Sequence, residues 1–293
     1  MIKITVITVT KNSGASLQRC ITSVAEQTHA WTEYIIVDGA STDHTLATIE
    51  RHSHTVSRYI SESDTGIYNA MNKGLRLATG DYIHFLGADD YFLDSGVLSG
   101  VAEFLEAHPD CGLAYGGISV RFPDGSERLH MPPPPEEALD VLVCGCLPHQ
   151  ASFASRRTFE LAGGFNERYR IAGDYDWFLR VVTHPQVLVN RFERIVASYN
   201  FNGVSNDLVR SQEEAYAIQN SFPLYQTPEW MERRLRIFQR ELMNSRIECN
   251  RLRARTRMAQ LIDHALSIPR KELPARAWRY LARRLRDSTP PIA

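Results

Sequence analysis

Four β-rich stretches in the first 90 residues are each followed by polar and acidic side chains. Carboxylates repel phosphate groups unless a divalent cation lies between them, and Mg²⁺ or Mn²⁺ is commonly held by one or two carboxylates together with substrate phosphates. We therefore expect Asp89 and Asp90 to bind Mn²⁺ or Mg²⁺ beside a phosphate-bearing substrate. The four clusters are Thr8-Val9-Thr10-Lys11-Asn12, Asp38-Gly39-Ala40-Ser41-Thr42-Asp43, Glu62-Ser63-Asp64-Thr65-Gly66 and Gly87-Ala88-Asp89-Asp90.

Each cluster also has a purely structural interpretation. Ser, Thr and Asp cap exposed amides at helix starts, so the Asp38 cluster alone favours a turn and a cap, and the pair Asp89-Asp90 alone fits a cap equally well. The glycine-rich loops that bind dinucleotides and ATP are absent from the sequence. Four such clusters on one rim would repel one another without a ligand or cation, so together they favour a binding site.

The first 108 residues alternate strand-like and helix-like patterns. Strands are predicted at KITVITVT, EYIIVD, SRYISE and DYIHFL, and Leu17, Cys20, Ile21 and Val24 recur at helical spacing between the first two. This alternation predicts an α/β fold with a mainly parallel sheet flanked by helices. Ligands bind where parallel strands end, so the four clusters are expected at one edge of that sheet.

The rest of the chain predicts further strands and then helices. GLAYGGISVRF and ERLH flank a Pro-Asp-Gly turn and predict an antiparallel hairpin, while VLVN and RIVASYN predict two short strands. Beyond Asn206 the pattern is helical almost to the end, with Leu235, Phe238 and Leu242 on one face. We expect one domain over residues 1–205 and a helical extension over residues 206–293.

Charge is divided unevenly between the two segments. The net charge is −1, but residues 229–293 hold 16 basic and 7 acidic residues, which gives +9, and residues 1–228 carry −10. A basic helical tail on an acidic body predicts an anionic membrane surface as its partner, and the acidic body argues against nucleic acid. Trp278, Leu281 and Leu285 would form the interfacial face, although a self-pairing helical bundle explains the tail equally well.

Composition supports a compact protein in the cytosol. The 293 residues are 43% hydrophobic and 23% charged, which excludes wholesale disorder. The N-terminus has no signal-peptide pattern, and no run is long enough to span a bilayer. Five scattered cysteines are expected to be reduced thiols.

Longer strings of the sequence resemble one enzyme family. ITVITVTKNS, YIIVDGASTDHT, SESDTGIYNAMNKGLRLATGDYIHFLGADDYF and LPHQASFASRRTFELAGGFNERYRIAGDYDWFLR follow one another in the order found in family 2 glycosyltransferases. The resemblance spans about residues 2–205. It implies the GT-A fold, a Rossmann-like mainly parallel sheet, and inverting transfer from a nucleotide-sugar donor.

The resemblance also implies roles for particular residues. Asp174 matches the general base, Asp89 the D-x-D metal ligand with Asp90 assisting, and His149 and Gln150 a segment that faces the donor or acceptor sugar. We place Asp176 and Trp177 in the same sugar-facing group, with a core position for Trp177 left open. The residues implied for the nucleotide are Thr8, Thr10, Asp38, Asp64, Asn72 and Ala88.

Three positions depart from the family pattern. Gly87 stands at the first D-x-D position, so the metal is expected to bind tightly only with the donor diphosphate. Gly173 stands where the family has an acidic neighbour of the base. Residues 199–205 lack a histidine that many relatives have, and Asn202 is the available substitute.

Together these features predict a metal-assisted inverting glycosyltransferase of bacterial surface polysaccharide assembly. The donor is expected to be a UDP-sugar, with dTDP not excluded by Asp38, and the acceptor a saccharide that is free or undecaprenyl-linked. The expected location is the cytoplasm or the inner face of the plasma membrane. Homo-oligomerisation, a sugar-1-phosphate nucleotidyltransferase and a catalytically silent scaffold that binds sugar nucleotides stay open at this point.

Overall fold

The computed structural model of the protein describes residues 1–201 and 207–267. Within these residues nine strands join in one sheet, whose neighbours follow the order β3-β2-β1-β4-β8-β6-β9-β5, with β7 paired to β6. The strands are β1 (Ile4–Thr10), β2 (Thr32–Asp38), β3 (Arg58–Ser61), β4 (Tyr82–Phe85), β5 (Tyr91–Phe92), β6 (Cys111–Arg121), β7 (Glu127–His130), β8 (Ser152–Ser155) and β9 (Leu188–Asn200).

The sheet is mixed, and its parallel strands are concentrated at one side. β3, β2, β1 and β4 run parallel to one another. β8 is antiparallel to both β4 and β6, β5 is antiparallel to β9, and β6 pairs parallel with β9. The α/β fold is confirmed, and the parallel half is the one that carries the four polar clusters.

The second half of the sheet corrects one expectation and confirms another. The hairpin of β6 and β7 forms as predicted. VLVN and RIVASYN, predicted as two strands, are parts of the single strand β9. Three register shifts between β6 and β9 let the strand continue through the polar residues between the two apolar runs.

The described helices flank the sheet or follow it. In α1, Leu17, Cys20, Ile21 and Val24 are buried, which confirms the predicted helical face. The helices are α1 (Gly14–Ala25), α2 (Thr45–Arg51), α3 (Ile67–Leu77), α4 (Val97–Ala107), α5 (Ala138–Cys144), α6 (Arg156–Ala162), α7 (Gly173–Val182), α8 (Leu208–Ser221) and α9 (Pro228–Ser267).

Close packing of α3 on the sheet depends on a glycine. A Cβ at Gly74 would lie 2.5 Å from Ile7 Cγ2, so a side chain there would push α3 away from β1. On the other face, a large apolar core joins the sheet to α1, α2 and α4. Its fully buried members include Ile4, Val6, Leu17, Ile21, Ile36, Ile49, Leu98, Val101, Leu105 and Phe153.

The chain divides into two compact units, the first spanning Met1–Arg234 and the second beginning at Leu235. The first unit includes α8, which lies beyond the boundary predicted at residue 205 and packs against α7. Among the described helices, none is long and apolar enough to cross a membrane. Asn202 and the face formed by Trp278, Leu281 and Leu285 lie outside the described residues.

Candidate active site

The carboxyl ends of β1, β2 and β3 bring three polar side chains into line. Thr10 pairs with Asp38, and Asp38 pairs with Ser61. Asp38 is fully buried, and its carboxylate accepts hydrogen bonds from the Ser41 backbone N–H at 2.9 Å, from the Ser41 hydroxyl and from the Ser61 hydroxyl at 2.7 Å. These donors satisfy the buried carboxylate and fix its orientation at the edge of the sheet.

The two threonines of β1 have different surroundings. Thr8 is fully buried, accepts a hydrogen bond from the Tyr34 hydroxyl at 3.1 Å and lies 3.5 Å from Cys20 Sγ. Its hydroxyl therefore belongs to the core. Thr10 Oγ1 is also buried but has no hydrogen-bond partner among the described residues. Of the two threonines, Thr10 is thus the one whose buried hydroxyl is unsatisfied within the described residues.

The loops after β1 and β2 hold two residues in the left-handed region. Asn12 has φ of 52° and Ala40 has φ of 57°. The loops are joined by hydrogen bonds from the Asn12 N–H to Ser41 Oγ at 2.7 Å and from the Thr42 N–H to Asn12 Oδ1 at 2.9 Å. Positive φ in residues other than glycine costs free energy and persists where the surroundings fix it, often at binding sites.

Asp64 approaches the end of β2 because residue 39 is a glycine. A Cβ at Gly39 would lie 2.2 Å from Asp64 Oδ2, while Asp64 Oδ1 accepts a hydrogen bond from the Gly66 N–H at 3.0 Å. The structure therefore brings Asp64 beside Gly39, the residue that follows Asp38. This placement agrees with the predicted acidic edge.

The turn after β4 places two carboxylates beside Gly87. A Cβ at Gly87 would lie 2.6 Å from Asp90 Oδ2 and 3.3 Å from Asp89 Oδ1. Both carboxylates therefore lie beside the same point above Gly87, in space that a side chain at residue 87 would need. Ala88, between Gly87 and Asp89, is buried in the core, so its side chain faces away from the two carboxylates.

Neighbouring strands hold these two carboxylates in place. Asn200, at the end of β9, donates from its backbone N–H to Asp90 Oδ1 at 2.8 Å and from its side-chain amide to Asp89 Oδ2 at 3.0 Å. Arg121, at the end of β6, donates to the Asp89 backbone oxygen at 2.6 Å. Burial and the neighbouring charge of Asp89 raise the pKa of Asp90 to about 7.

Asp174 and His149 form an ion pair at the start of α7. His149 Nδ1 lies 3.4 Å from Asp174 Oδ2, and the Tyr68 hydroxyl and the Tyr175 N–H donate to Asp174 Oδ1 at 3.0 and 2.9 Å. Burial raises the pKa of Asp174, but the contacts with His149, Tyr68 and Tyr175 outweigh it and hold that pKa below its usual value. Asp174 is therefore ionised at neutral pH.

His149 lies within the electrostatic reach of three carboxylates. Burial lowers the pKa of His149, whereas Asp174 and, more weakly, Asp90 and Asp89 raise it, and the net result lies above its ordinary value. The imidazolium form is favoured because negative charge surrounds it. The structure thus brings the predicted base, the predicted sugar-facing histidine and both predicted metal ligands into one electrostatic group.

A glutamate that sequence analysis missed holds the segment before α7. Glu214 of α8 accepts hydrogen bonds from the backbone N–H groups of Arg170, Ile171 and Ala172 at 2.9 to 3.1 Å. Burial raises the pKa of Glu214, but these three donors outweigh it and lower the pKa below its usual value. The Tyr68 hydroxyl, whose single proton lies between the Ile171 carbonyl and Asp174, contacts this segment as well. Both contacts fix the start of α7 and therefore the position of Asp174 in its first turn.

The remaining predicted residues have structural partners. Asn72 bonds to Phe165 and Glu167, in the loop between α6 and α7. Asp176 accepts from Arg180 at 2.9 and 3.0 Å. Trp177 is 3% exposed and stacks on Phe159, so its ring packs in the core. Gln150 is buried beside His149.

The donor set fits a divalent ion bound together with a diphosphate. Within residues 1–201 and 207–267 no group of three or more His, Cys, Asp or Glu side chains is arranged to hold a metal alone. Asp89 and Asp90 offer two carboxylates, which is the number Mg²⁺ uses when substrate phosphates complete its coordination. The residues therefore fit a cation that arrives with the donor.

Two solved structures share this fold. The mannosyltransferase PcManGT from Pyrobaculum calidifontis, in complex with GDP-Man and Mn²⁺, is 19% identical with a TM-score of 0.61, covering 99% of this chain and 81% of that one. The S. aureus TarS fragment 1-349, in complex with UDP-GlcNAc, is 18% identical with a TM-score of 0.59, covering 74% of this chain and 64% of that one. The fold is the GT-A fold of glycosyltransferases.

The sequence comparisons define the family. The Glycosyl transferase family 2 pattern matches residues 5–161, and the chain belongs to that family. A PGL/p-HBAD biosynthesis glycosyltransferase of Mycobacterium bovis is 34% identical over 212 residues, covering 70% of this chain and 79% of the relative. A chondroitin synthase of Pasteurella multocida is 31% identical over 172 residues, covering 58% of this chain and 18% of the relative. Family membership supports sugar transfer over the nucleotidyltransferase alternative.

Proposed function

We propose that the protein transfers a sugar, with inversion at the anomeric carbon, from a UDP-sugar to a hydroxyl of a saccharide. The observation that carries this proposal is the ion pair of Asp174 with His149, which lies within the electrostatic reach of Asp89 and Asp90, in a domain whose parallel strands end at Thr10 and Asp38. An inverting transfer is one in-line displacement, so it needs one group to take the acceptor's proton and one to stabilise the departing diphosphate.

In this mechanism Asp174 accepts the proton from the acceptor hydroxyl. Its carboxylate is ionised, and Tyr68, Tyr175 and His149 fix its orientation, so positioning compensates for its low basicity. The His149 imidazolium contributes positive charge near the carboxylate pair of Asp89 and Asp90. When a divalent ion is bound by Asp89 and Asp90, it neutralises charge on the departing diphosphate.

The edge of the sheet is assigned to the nucleotide. Asp38, held by Ser41 and Ser61, is the acceptor for the ring N–H of uracil, and Thr10 supplies the unpaired hydroxyl beside it. Asp64 lies next to the same loop. Thymine offers the same ring N–H and flanking carbonyls, so the sugar donor is assigned to the uracil or thymine class with UDP preferred.

The setting is proposed from the relatives and the charge of the chain. The two sequence relatives named above come from the bacteria Mycobacterium bovis and Pasteurella multocida, which supports bacterial surface polysaccharide or glycolipid assembly. An acceptor carried on a lipid such as undecaprenyl diphosphate, and work at the cytoplasmic face of the plasma membrane, are part of this proposal.

The test measures release of nucleoside diphosphate from a panel of UDP-, dTDP- and GDP-sugars with a panel of saccharide acceptors. A UDP-sugar should give the fastest release, only with acceptor and with Mn²⁺ or Mg²⁺, and NMR of the product should show an inverted anomeric centre. Retention of configuration would refute the single-displacement mechanism. Binding of UDP-sugars without turnover on any acceptor would favour the silent scaffold.

A further inference from the structure

The second unit begins with an exposed helix whose apolar residues follow a heptad spacing. In α9, Leu235, Leu242 and Leu252 are more than half exposed, and Cys249 is exposed as well. With Phe238 and Ser245 they recur at alternating intervals of three and four residues from Leu235 to Leu252. A period of 3.5 residues is that of a coiled-coil seam, in which helices pack through the a and d positions. The seam residues are Leu235, Phe238, Leu242, Ser245, Cys249 and Leu252.

Charges flank this seam asymmetrically. From Glu241 onward, Glu241 and Glu248 each stand directly before an a position, and Arg246 and Arg253 each stand directly after a d position. Arg234, before the first a position, is hydrogen-bonded to Gln219 instead. Glu248 has an intrahelical pair with Arg251 at 3.7 Å, and Glu241 has one with Arg240 at 3.6 Å. All four side chains are about half exposed or more, so these pairs contribute little and leave the glutamates free to re-pair.

The pattern specifies both the partner and its direction. In a parallel pair of identical helices the residue before each a position meets the residue five places later in the other helix, so Glu241 meets Arg246 of a second copy and Glu248 meets Arg253. In an antiparallel pair each flank would meet its own kind, glutamate against glutamate and arginine against arginine. An anionic membrane would repel the glutamates beside the seam. The apolar residues Met243 and Ile247 lie on other faces of α9, so they do not join the seam to form one broad apolar surface of the kind that binds a membrane.

We propose that the seam of α9 binds a second copy of this chain as a parallel, in-register coiled coil. The proposal is independent of the transferase chemistry, because it rests on residues of the second unit alone. One consequence is specific: the a-position residue Cys249 lies against Cys249 of the other copy, so mild oxidation should join the two sulfurs. In that step each thiol loses a proton and an electron to the added oxidant, and one S–S bond forms.

The experiment uses the full-length chain at tens of micromolar, where a short coiled coil is populated. Light scattering should give about twice the monomer mass of 33.3 kDa, and diamide should give a covalent dimer on non-reducing gels. Cys249→Ser should abolish the cross-link and keep the mass, which separates Cys249 from the exposed Cys144 and Cys146. Leu242→Asp should weaken dimerisation at least about tenfold, and circular dichroism will show that the chain is still folded.

A charge-swap pair distinguishes the parallel seam from other contacts. Glu241→Arg alone should weaken the dimer because arginine then faces arginine, and Glu241→Arg with Arg246→Glu should restore it. A monomer at all tested concentrations would overturn the proposal, as would a dimer that ignores the charge swap and Leu242→Asp. Binding of a monomeric form to anionic vesicles that is lost with Leu242→Asp would assign the seam to a membrane instead.

Discussion

Replacement of Asp174 by Asn tests the proposed base with little change of shape. The Asn side-chain oxygen can keep the hydrogen bonds from the Tyr68 hydroxyl and the Tyr175 N–H, now 3.0 and 2.9 Å long. The variant loses the negative charge 3.4 Å from His149 Nδ1 and the group that accepts the proton. Structure and nucleotide binding should survive, whereas transfer should not.

The expected losses differ in size. Loss of a general base slows turnover by about 10² to 10⁴, which is about 3 to 5 kcal/mol of transition-state stabilisation. At 3.4 Å two charges attract by about 5 kcal/mol at an effective dielectric constant near 20. Both side chains are between a fifth and a third exposed, so solvent and desolvation reduce the net contribution to about 1 kcal/mol of folding stability. Catalysis should therefore fall far more than stability.

The assays are single-turnover kinetics, UDP titration, thermal unfolding and NMR of the His149 ring. In Asp174→Asn the pKa of His149 should fall, because Asp174 is the main group that raises it. Asp176→Asn is the matched control on the same helix, and it should stay within about threefold of native turnover because Arg180 binds that carboxylate. If Asp174→Asn keeps turnover within about threefold of native, Asp174 is not the base.

Asp90→Asn should change how the stability of the metal-free protein depends on pH. The folded chain keeps a proton on Asp90 up to about pH 7, whereas the unfolded chain loses it near 3.8. The native protein should therefore lose up to about 4 kcal/mol of folding stability as pH rises through that window, and the variant should not. Urea unfolding in EDTA at about pH 5 and about pH 8 measures this loss of stability. An equal change of stability between the two pH values in the native protein and the variant would contradict the prediction. Glu214→Gln should destabilise the chain by about 1 to 3 kcal/mol and slow turnover, whereas the exposed neighbour Glu213→Gln should do neither. Because folding lowers the pKa of Glu214, its contribution to folding stability is present above the unfolded pKa and is lost as pH falls. Glu214→Gln and Glu213→Gln should therefore have similar stabilities in acid. Thr10→Val should weaken UDP binding several-fold with little loss of stability, and Thr8→Val should do the reverse; calorimetry that finds both variants equal would remove Thr10 from the nucleotide site.

Local pattern predicts the part of this site that lies at strand ends. Asp38, Asp64, Asp89 and Asp90 follow parallel strands, and parallel strands end at one edge, so their proximity was foreseeable from the alternation of strand and helix patterns. The face of α1 was foreseeable for the same reason, since its apolar spacing matches the helical period.

Contacts between distant segments were beyond sequence analysis. Nothing near Glu214 indicates that it holds residues 170–172, because the contact depends on how α8 packs against α7. Thr8 and Thr10 are two residues apart and so share one face of β1. That Thr8 pairs with Tyr34 whereas Thr10 does not depends on what packs over each point of that face, which periodicity does not give. The position of Asp90 above Gly87 is set by backbone geometry within one turn.

The turn at Gly87 also constrains how this protein can change by mutation. A Cβ at residue 87 would lie 2.6 Å from Asp90 Oδ2, so Gly87→Asp requires the Asp90 carboxylate to turn away or to be shortened. Turning it away would break its hydrogen bond from the Asn200 N–H. The effect of a side chain at residue 87 should therefore depend on the residue at position 90, so the two positions are expected to be epistatic.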